Sequence, residues 1–232
     1  NYKGALTQYM THPEEWTYHI PEGMTTMEGA LVEPAAVGMH AAVLGGAQPG
    51  KSIVILGGGT IGLMVLQACI SLGATDITVV DVIEKRLELA KKLGAARVIN
   101  GKEEDTVAVL RSEEMYGDHG VDLVFEAAGA VFTAQQAVQI VSRGGKIMMV
   151  GTQSKPVPID FLKINREVTI QTSFRYCNNF PQTIEAISSG RFNVKDMVTN
   201  IYDYEDVQKA FEEAIDPVKK TEMVKGVIKV AE

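Results

Sequence analysis

The sequence predicts an α/β chain built on a doubly wound parallel sheet. Three observations carry that expectation. A glycine-rich turn joins a β-branched apolar run to an apolar helix between Ser52 and Leu72. An acid, Asp81, closes the next apolar run. Short buried strands and helices then alternate as far as Ser173. Of 232 residues, 46% are hydrophobic and 22% charged, which suits a globular chain of one large domain or one and a half. A formal net charge of −7 with no basic cluster argues against nucleic acid and anionic membrane as partners. No apolar run is long enough to span a bilayer. Cys69 and Cys177 are too few for a disulfide framework. Cys69 lies in an apolar helix and reads as core packing, and the cytoplasm is the expected location.

Asn1–Met24 does not follow the α/β rhythm. Leu6–Met10 and Trp16–Ile20 are short strand candidates separated by His12-Pro13, and Pro21-Glu22-Gly23-Met24 reads as a turn. Asn1 is not an initiator methionine and Asn1–Met10 has no signal-peptide pattern, so the chain is expected to be processed or a fragment. His12 and His19 have no metal-ligand partner at useful spacing and read as surface or packing residues. From Thr25 to His40 a helix is expected, capped by Thr25 or Thr26 with Glu28 or Gly29 in its first turn. Glu33-Pro34 falls mid-run among small apolar residues. A carboxylate there is expensive to bury unless it is paired, hydrogen-bonded or bound to metal; the other reading is a surface acid at a helix break. Gln48-Pro49-Gly50 closes the approach to the first core strand.

Ser52–Leu56 is that strand. Gly57, Gly59 and Gly62 supply G-x-G-x-x-G, Thr60 to Leu72 continues as a helix stopped by Gly73, and Ile77–Val80 is a second strand ending at Asp81. Strand, glycines, helix, strand and an acid about twenty residues on form the dinucleotide-binding fingerprint. Gly57 permits the tight turn, Gly59 lets a pyrophosphate approach the backbone, and Gly62 lets the helix pack closely. The helix N-terminus offers free N–H groups and partial positive charge to phosphate. Asp81 accepts from ribose hydroxyls and repels a 2′-phosphate, which favours NAD over NADP. The alternative is a nucleotide-free α/β domain with a glycine turn.

Ile83, Leu87 and Ala90 recur at helical spacing up to Gly94. Arg86 either reaches the adenosine side of the cofactor or solvates this helix. Arg97–Ile99 is a strand, Glu103–Met115 an acidic helix, Val121–Phe125 a buried strand followed by Glu126-Ala127-Ala128-Gly129, Val131–Val141 a helix, and Lys146–Val150 a strand followed by Gly151-Thr152. Ligands of such sheets bind beyond the C-terminal strand ends, which selects Gly57–Gly62, Asp81, Ala127–Gly129 and Val150–Thr152 as the rim. Pro156-Val157-Pro158 opens an extended connection to the last strand, Val168–Ser173. Phe174-Arg175-Tyr176-Cys177-Asn178-Asn179 after it is a site or a plain surface loop. Phe180–Ser189 is a helix, Met197–Tyr202 a strand, Tyr204–Ile215 a helix with Val207, Ala210, Phe211 and Ala214 on its apolar face, and Lys225–Val230 a terminal strand.

These residues resemble one family over essentially the whole chain: the zinc-dependent medium-chain alcohol dehydrogenases, in their sorbitol (polyol) dehydrogenase branch. The resemblance rests on Ala30-Leu31-Val32-Glu33-Pro34 through Val37-Gly38-Met39-His40-Ala41, on the Gly57–Gly62 loop with Asp81, and most specifically on Phe174-Arg175-Tyr176-Cys177-Asn178. It implies a Rossmann domain flanked by pieces of an incomplete GroES-like catalytic domain, with residues 1–38 as a remnant of the latter, 39–174 as the NAD-binding domain, and 175–232 as the return.

The implied reaction moves a hydride between NAD and a polyol such as sorbitol, L-iditol or xylitol, with zinc lowering the pKa of the alcohol. By resemblance, Arg175 and Tyr176 hold polyol hydroxyls or zinc-bound water, and Glu33 stands at the zinc, as a ligand or as the partner of one. Ile61, Asp81, Arg86, Val150, Gly151, Thr152, Ser173, Phe174 and Arg175 contact NAD. Homodimers through the cofactor domain's edge strand, and tetramers, are implied. The family's Cys, His and Glu zinc ligands are expected upstream of this chain, so it is expected to bind NAD without oxidising polyols alone. The alternatives are 2,3-butanediol or L-threonine dehydrogenase on the same scaffold, or a non-catalytic NAD-binding module.

Overall fold

The computed structural model describes residues 4–164 and 167–230. The first three and last two residues, which belong to the flanks read above, lie outside the described residues. The first two α-helices are α1, Thr26–Ala30, and α2, Val32–Gly45. Thr25 and Glu28 form a reciprocal capping box on α1, the Thr25 N–H donating to Glu28 Oε2 at 2.8 Å and the Glu28 N–H to Thr25 Oγ1 at 3.2 Å. Leu31 ends one helix and begins the next. Pro34 falls in the first turn of α2, where its missing N–H costs nothing.

The elements of the large sheet then follow: β1 Ser52–Leu56, α3 Thr60–Ser71, β2 Asp76–Asp81, α4 Glu84–Lys92, β3 Arg97–Asn100, α5 Thr106–Leu110, β4 Val121–Glu126, α6 Val131–Ile140, β5 Val141–Met149 and β6 Thr169–Thr172. The strands form one parallel sheet in the order β3-β2-β1-β4-β5-β6, the doubly wound arrangement expected. Period-2 alternation divides its side chains between two cores. Ile53, Ile55, Ile77, Val79, Leu123 and Phe125 pack with α2, α3 and α4. Val54, Leu56, Val80, Val124 and Ile147 pack with α5 and α6. Truncating a fully buried side chain such as Phe125 to alanine is worth about 3–5 kcal/mol.

The tail comprises α7 Phe180–Ser188, β7 Val198–Asp203, α8 Val207–Ile215, α9 Lys219–Glu222 and β8 Lys225–Lys229, with β7 and β8 paired in parallel as a separate two-stranded sheet. Ala186 and Ile187 of α7 join the core that holds α2 and α3.

Three local expectations are corrected. No strand forms at Leu6–Met10 or Trp16–Ile20; the described residues there hold only a 3-10 turn at Glu14–Trp16. A strand needs a ladder partner, and this segment pairs with neither sheet, leaving Tyr9 90% exposed. The helix expected over Glu103–Met115 shrinks to α5, because Asp105 caps it by accepting from the N–H groups of Val107 and Ala108. The Arg111 side chain then donates to the carbonyls of Gln139, near the end of α6, and Val141, at the start of β5. The apolar face expected on Tyr204–Ile215 buries only Ala210, while Phe211 and Ile215 are exposed. Of the two readings open for Glu33, its exposure matches the surface acid, placed in the first turn of α2.

Candidate active site at the strand ends

The register of the sheet assembles the site. Leu56 pairs with Val80 and with Glu126, Glu126 with Met149, and Met149 with Thr172. The next residue along each strand is therefore Gly57, Asp81, Ala127, Val150 and Ser173. Five residues spread over more than a hundred positions of sequence stand on one rung, at the C-terminal edge where ligands of doubly wound sheets bind.

Backbone contacts tie the rung together. The Gly57 N–H donates to the Val80 carbonyl at 2.8 Å, the Ala127 N–H to Leu56 at 2.9 Å, the Val150 N–H to Glu126 at 2.8 Å, and the Ser173 N–H to Met149 at 2.9 Å. Gly57 has φ +113°, a conformation that favours glycine. A Cβ on Gly62 would lie 1.8 Å from the Gly57 carbonyl oxygen, so the first turn of α3 packs directly on the loop. Gly59 differs: an added Cβ there meets nothing nearer than Arg86 Nη1 at 3.9 Å. Protein packing does not require glycine at that position, whereas a ligand lying against the backbone does. α3 carries no side-chain cap, so its N–H groups face this opening, a ready anion site.

Asp81 is nearly buried. Its Oδ2 accepts from the Gly58 N–H at 2.7 Å, and its Oδ1 from the Val82 and Ile83 N–H groups at 2.8 and 2.9 Å. Arg86 does not simply solvate α4. Its guanidinium folds back, with Nη1 3.8 Å from Asp81 Oδ2 and Nη2 donating to the Lys220 carbonyl at 3.2 Å. The tail reaches the loop a second time, since Thr60 Oγ1 donates to the Val224 carbonyl. Ile61 is half-buried beside it. Gly151 and Thr152 continue the rung's loop after β5, Thr152 being exposed.

Beyond Ser173, Phe174 is exposed and the Arg175 guanidinium lies over its ring, 5.3 Å from the centroid. The half-buried Tyr176 meets the Phe180 ring edge-on at 5.0 Å, and Tyr18 stacks on the same ring at 5.3 Å. Asn179 is buried and its Oδ1 lies 2.9 Å from His40 Nδ1, joining α7 to α2. Glu33 is seven residues before His40, two helical turns away on the same stripe of α2. Among the described residues no side-chain hydrogen bond or ion pair joins Glu33 to Arg175 or Tyr176, and no group of three His, Cys, Asp or Glu side chains gathers to hold a metal.

Sequence reasoning missed Glu126 as a site residue. It ends β4 as Asp81 ends β2, and the same acid-after-apolar-run signal marks it. It is 0% exposed and accepts four hydrogen bonds: from the Ala128 N–H at 3.0 Å, the Gly129 N–H at 2.9 Å, Thr133 Oγ1 at 2.7 Å and Gln153 Nε2 at 2.8 Å. Among the described residues, the buried side-chain polar atoms without a hydrogen-bond partner are Arg86 Nε, Gln153 Oε1 and Ser173 Oγ. Ser173 and Gln153 lie just beyond β6 and β5, and Arg86, on α4, has its guanidinium beside Asp81. Buried polar groups are ordinarily satisfied, so this cluster fits a ligand that runs along the rung.

The profile of the zinc-binding dehydrogenase family matches residues 60–189. The uncharacterized zinc-type alcohol dehydrogenase-like protein YdjJ of Escherichia coli is 62% identical over the whole chain, which covers 66% of that protein. Sorbitol dehydrogenase of Bacillus subtilis is 39% identical over 91% of the chain and 60% of its own length. A crystal structure of an Escherichia coli oxidoreductase/dehydrogenase of unknown specificity involved in membrane biogenesis superimposes with a TM-score of 0.96 at 62% identity, covering 100% of this chain and 66% of that one. The chain thus spans 60 to 66% of the length of these relatives. Among the described residues, no helix is long and apolar enough to cross a membrane.

Proposed function

Because the chain belongs to the zinc-binding dehydrogenase family, we propose that it binds NAD along the strand-end rung, and that the whole protein transfers a hydride between NAD and a polyol such as sorbitol, L-iditol or xylitol. The observation that carries this reading is the meeting of Asp81 with the uncapped N-terminus of α3 across Gly58 and Gly59. The α3 N–H groups receive a pyrophosphate. A carboxylate offers about four acceptor positions, and Asp81 commits three to backbone donors, leaving one for a ribose hydroxyl. Its negative charge opposes a 2′-phosphate, which supports NAD over NADP.

When bound, NAD supplies the hydride acceptor. Arg175 and Tyr176 follow the rung directly, and their donors suit a polyhydroxylated substrate; Glu33 is the acid proposed to face the reacting alcohol. Zinc enters this reading only through the family. The described residues do not assemble a ligand set, and no step is derived through the ion. We propose accordingly that these 232 residues bind NAD without oxidising polyols by themselves.

Residues 1–38 and 175–232 are proposed as pieces of the catalytic domain around an NAD-binding domain at 39–174. A dimer or tetramer is supported by β6, an unpaired sheet edge with Ile170, Phe161 and Leu162 exposed on or near it. The two free thiols suit a reducing cytoplasm.

Fluorescence titration of the chain with NADH and NADPH tests the cofactor. NADH is expected to bind at least about tenfold tighter, and equal binding overturns the role given to Asp81. A panel of sorbitol, L-iditol, xylitol, 2,3-butanediol and L-threonine, assayed with the whole protein, tests the substrate. In that protein Arg175→Ala is expected to lower polyol kcat/KM about 10–100-fold with NADH affinity spared. Turnover of butanediol or threonine alone overturns the polyol assignment.

A further inference from the structure

The loop between β6 and α7 holds a strained backbone. Of the three described non-glycine residues with positive φ, two lie in it: Arg175 at +51° and Asn178 at +55°. Asparagine tolerates this left-handed region. Arginine gains nothing from it, because its Cβ crowds the following carbonyl. Such a conformation persists only where the surrounding structure imposes it.

Contacts at both ends of the loop impose it here. At the front, the Ser173 N–H donates to the Met149 carbonyl at 2.9 Å. At the back, the Phe180 ring is held by Tyr176 edge-on and by Tyr18 in a stack. Between Asn178 and Phe180 stands Asn179, which is buried and begins α7. Asparagine is a strong helix N-cap, yet this side chain makes no capping bond. Its Nδ2 donates to Gln182 Oε1 at 3.4 Å, which turns Oδ1 towards α2, 2.9 Å from His40 Nδ1. An amide oxygen only accepts, so the His40 proton sits on Nδ1. The Asn179 carbonyl accepts from both the N–H and the hydroxyl of Thr183, so the residue is fixed to α7 as well. A buried polar side chain is thus spent on a bond between two helices rather than on its own helix end.

The His40–Asn179 bond joins two parts of the proposed substrate site. His40 stands on α2, on the same stripe as Glu33. Asn179 closes the loop that carries Arg175 and Tyr176. We infer that His40 and Asn179 are positioning residues: their bond holds the strained loop in place and keeps Arg175 and Tyr176 in register with the helix of Glu33. Neither side chain is assigned a contact with substrate. This deepens the polyol reading given above and rests on it.

The test has one readout in the loop and one in turnover. In the 232-residue chain, Cys177 lies in the loop and is exposed while Cys69 is buried, so a trifluoromethyl thiol reagent labels the loop for fluorine NMR. Wild type is expected to give one sharp resonance. His40→Ala and Asn179→Ala are each expected to shift or broaden it, and His40→Gln, which keeps an N–H donor, to restore it. In the whole protein, each alanine variant is expected to lower polyol kcat/KM about tenfold with NADH affinity spared, and His40→Gln to stay within about twofold of wild type. Because both alanine variants remove one bond, the double variant is expected to lose no more than either single. A merely structural role would instead weaken NADH binding alongside turnover. Either alanine variant reads the bond by itself, so failure of one to fold leaves the other as the test. A wild-type resonance in the folded alanine variants overturns the assignment, as do undiminished kcat/KM or additive losses in the double variant. Absence of polyol turnover in the wild-type whole protein overturns the substrate reading itself, and this inference with it.

Discussion

Asp81 Oδ2 accepts a hydrogen bond from the Gly58 N–H at 2.7 Å, so the acid that ends β2 also holds the glycine loop that follows β1. The same side chain receives the first two N–H groups beyond β2. One carboxylate thus supports the loop and presents its charge to the crevice.

Asp81→Ala is therefore expected to act twice. It removes three accepted hydrogen bonds and should lower stability by about 2 kcal/mol, a fall in Tm of several degrees for a chain of this size. It should also weaken NADH binding about 10–100-fold and narrow the gap to NADPH. Differential scanning calorimetry beside cofactor titration separates the two effects. An unchanged Tm would show that the Gly58 contact contributes nothing to the fold.

Gly59 and Gly62 should separate binding from folding. A Cβ on Gly62 collides with the Gly57 carbonyl at 1.8 Å, whereas one on Gly59 makes only an ordinary contact with Arg86 Nη1 at 3.9 Å. Gly62→Ala is expected to cost roughly 3 kcal/mol or more, because backbone must move. Gly59→Ala should leave Tm within about a degree of wild type and reduce NADH affinity at least about tenfold. A Gly59→Ala chain that binds NADH normally would remove the pyrophosphate from that opening.

Glu28 should make the N-terminal helix sensitive to acid. Burial works against its charge, but the Thr25 hydroxyl and N–H and the Lys195 ammonium, 3.2 Å away, outweigh burial and hold the carboxyl below its ordinary value. A lowered folded-state pKa stabilises above the unfolded value and is lost as pH falls through the folded one. Glu28→Gln is thus expected to cost about 1 kcal/mol at neutral pH, with the difference from wild type closing as the pH drops below the ordinary glutamate range. Urea unfolding of both proteins at neutral and acidic pH checks this, and a gap that persists in acid refutes it.

Much of the rung could be read along the chain. Gly57 follows an apolar run, Asp81 ends the next, and Ala127, Val150 and Ser173 each follow another, so locating the strands located the rim. Strands were misplaced at Leu6–Met10 and Trp16–Ile20, where alternation had no partner to pair with. The long acidic helix shrank because Asp105 caps more strongly than Glu103 and Glu104 propagate.

By itself, the sequence determined the features whose causes lie within a few residues: the parallel strands from their β-branched runs, the glycine turn, a threonine cap at Thr25 or Thr26, and the acid at the end of β2. The tertiary structure alone decided the Glu126–Gln153 bond, which spans 27 residues, and the His40–Asn179 bond, which spans 139. It alone decided that Arg86 turns back onto Asp81 and that Glu33 stays exposed. Periodicity, caps and turns are set by neighbours along the chain. Which buried polar group finds a donor depends on which loops the packed sheet brings side by side.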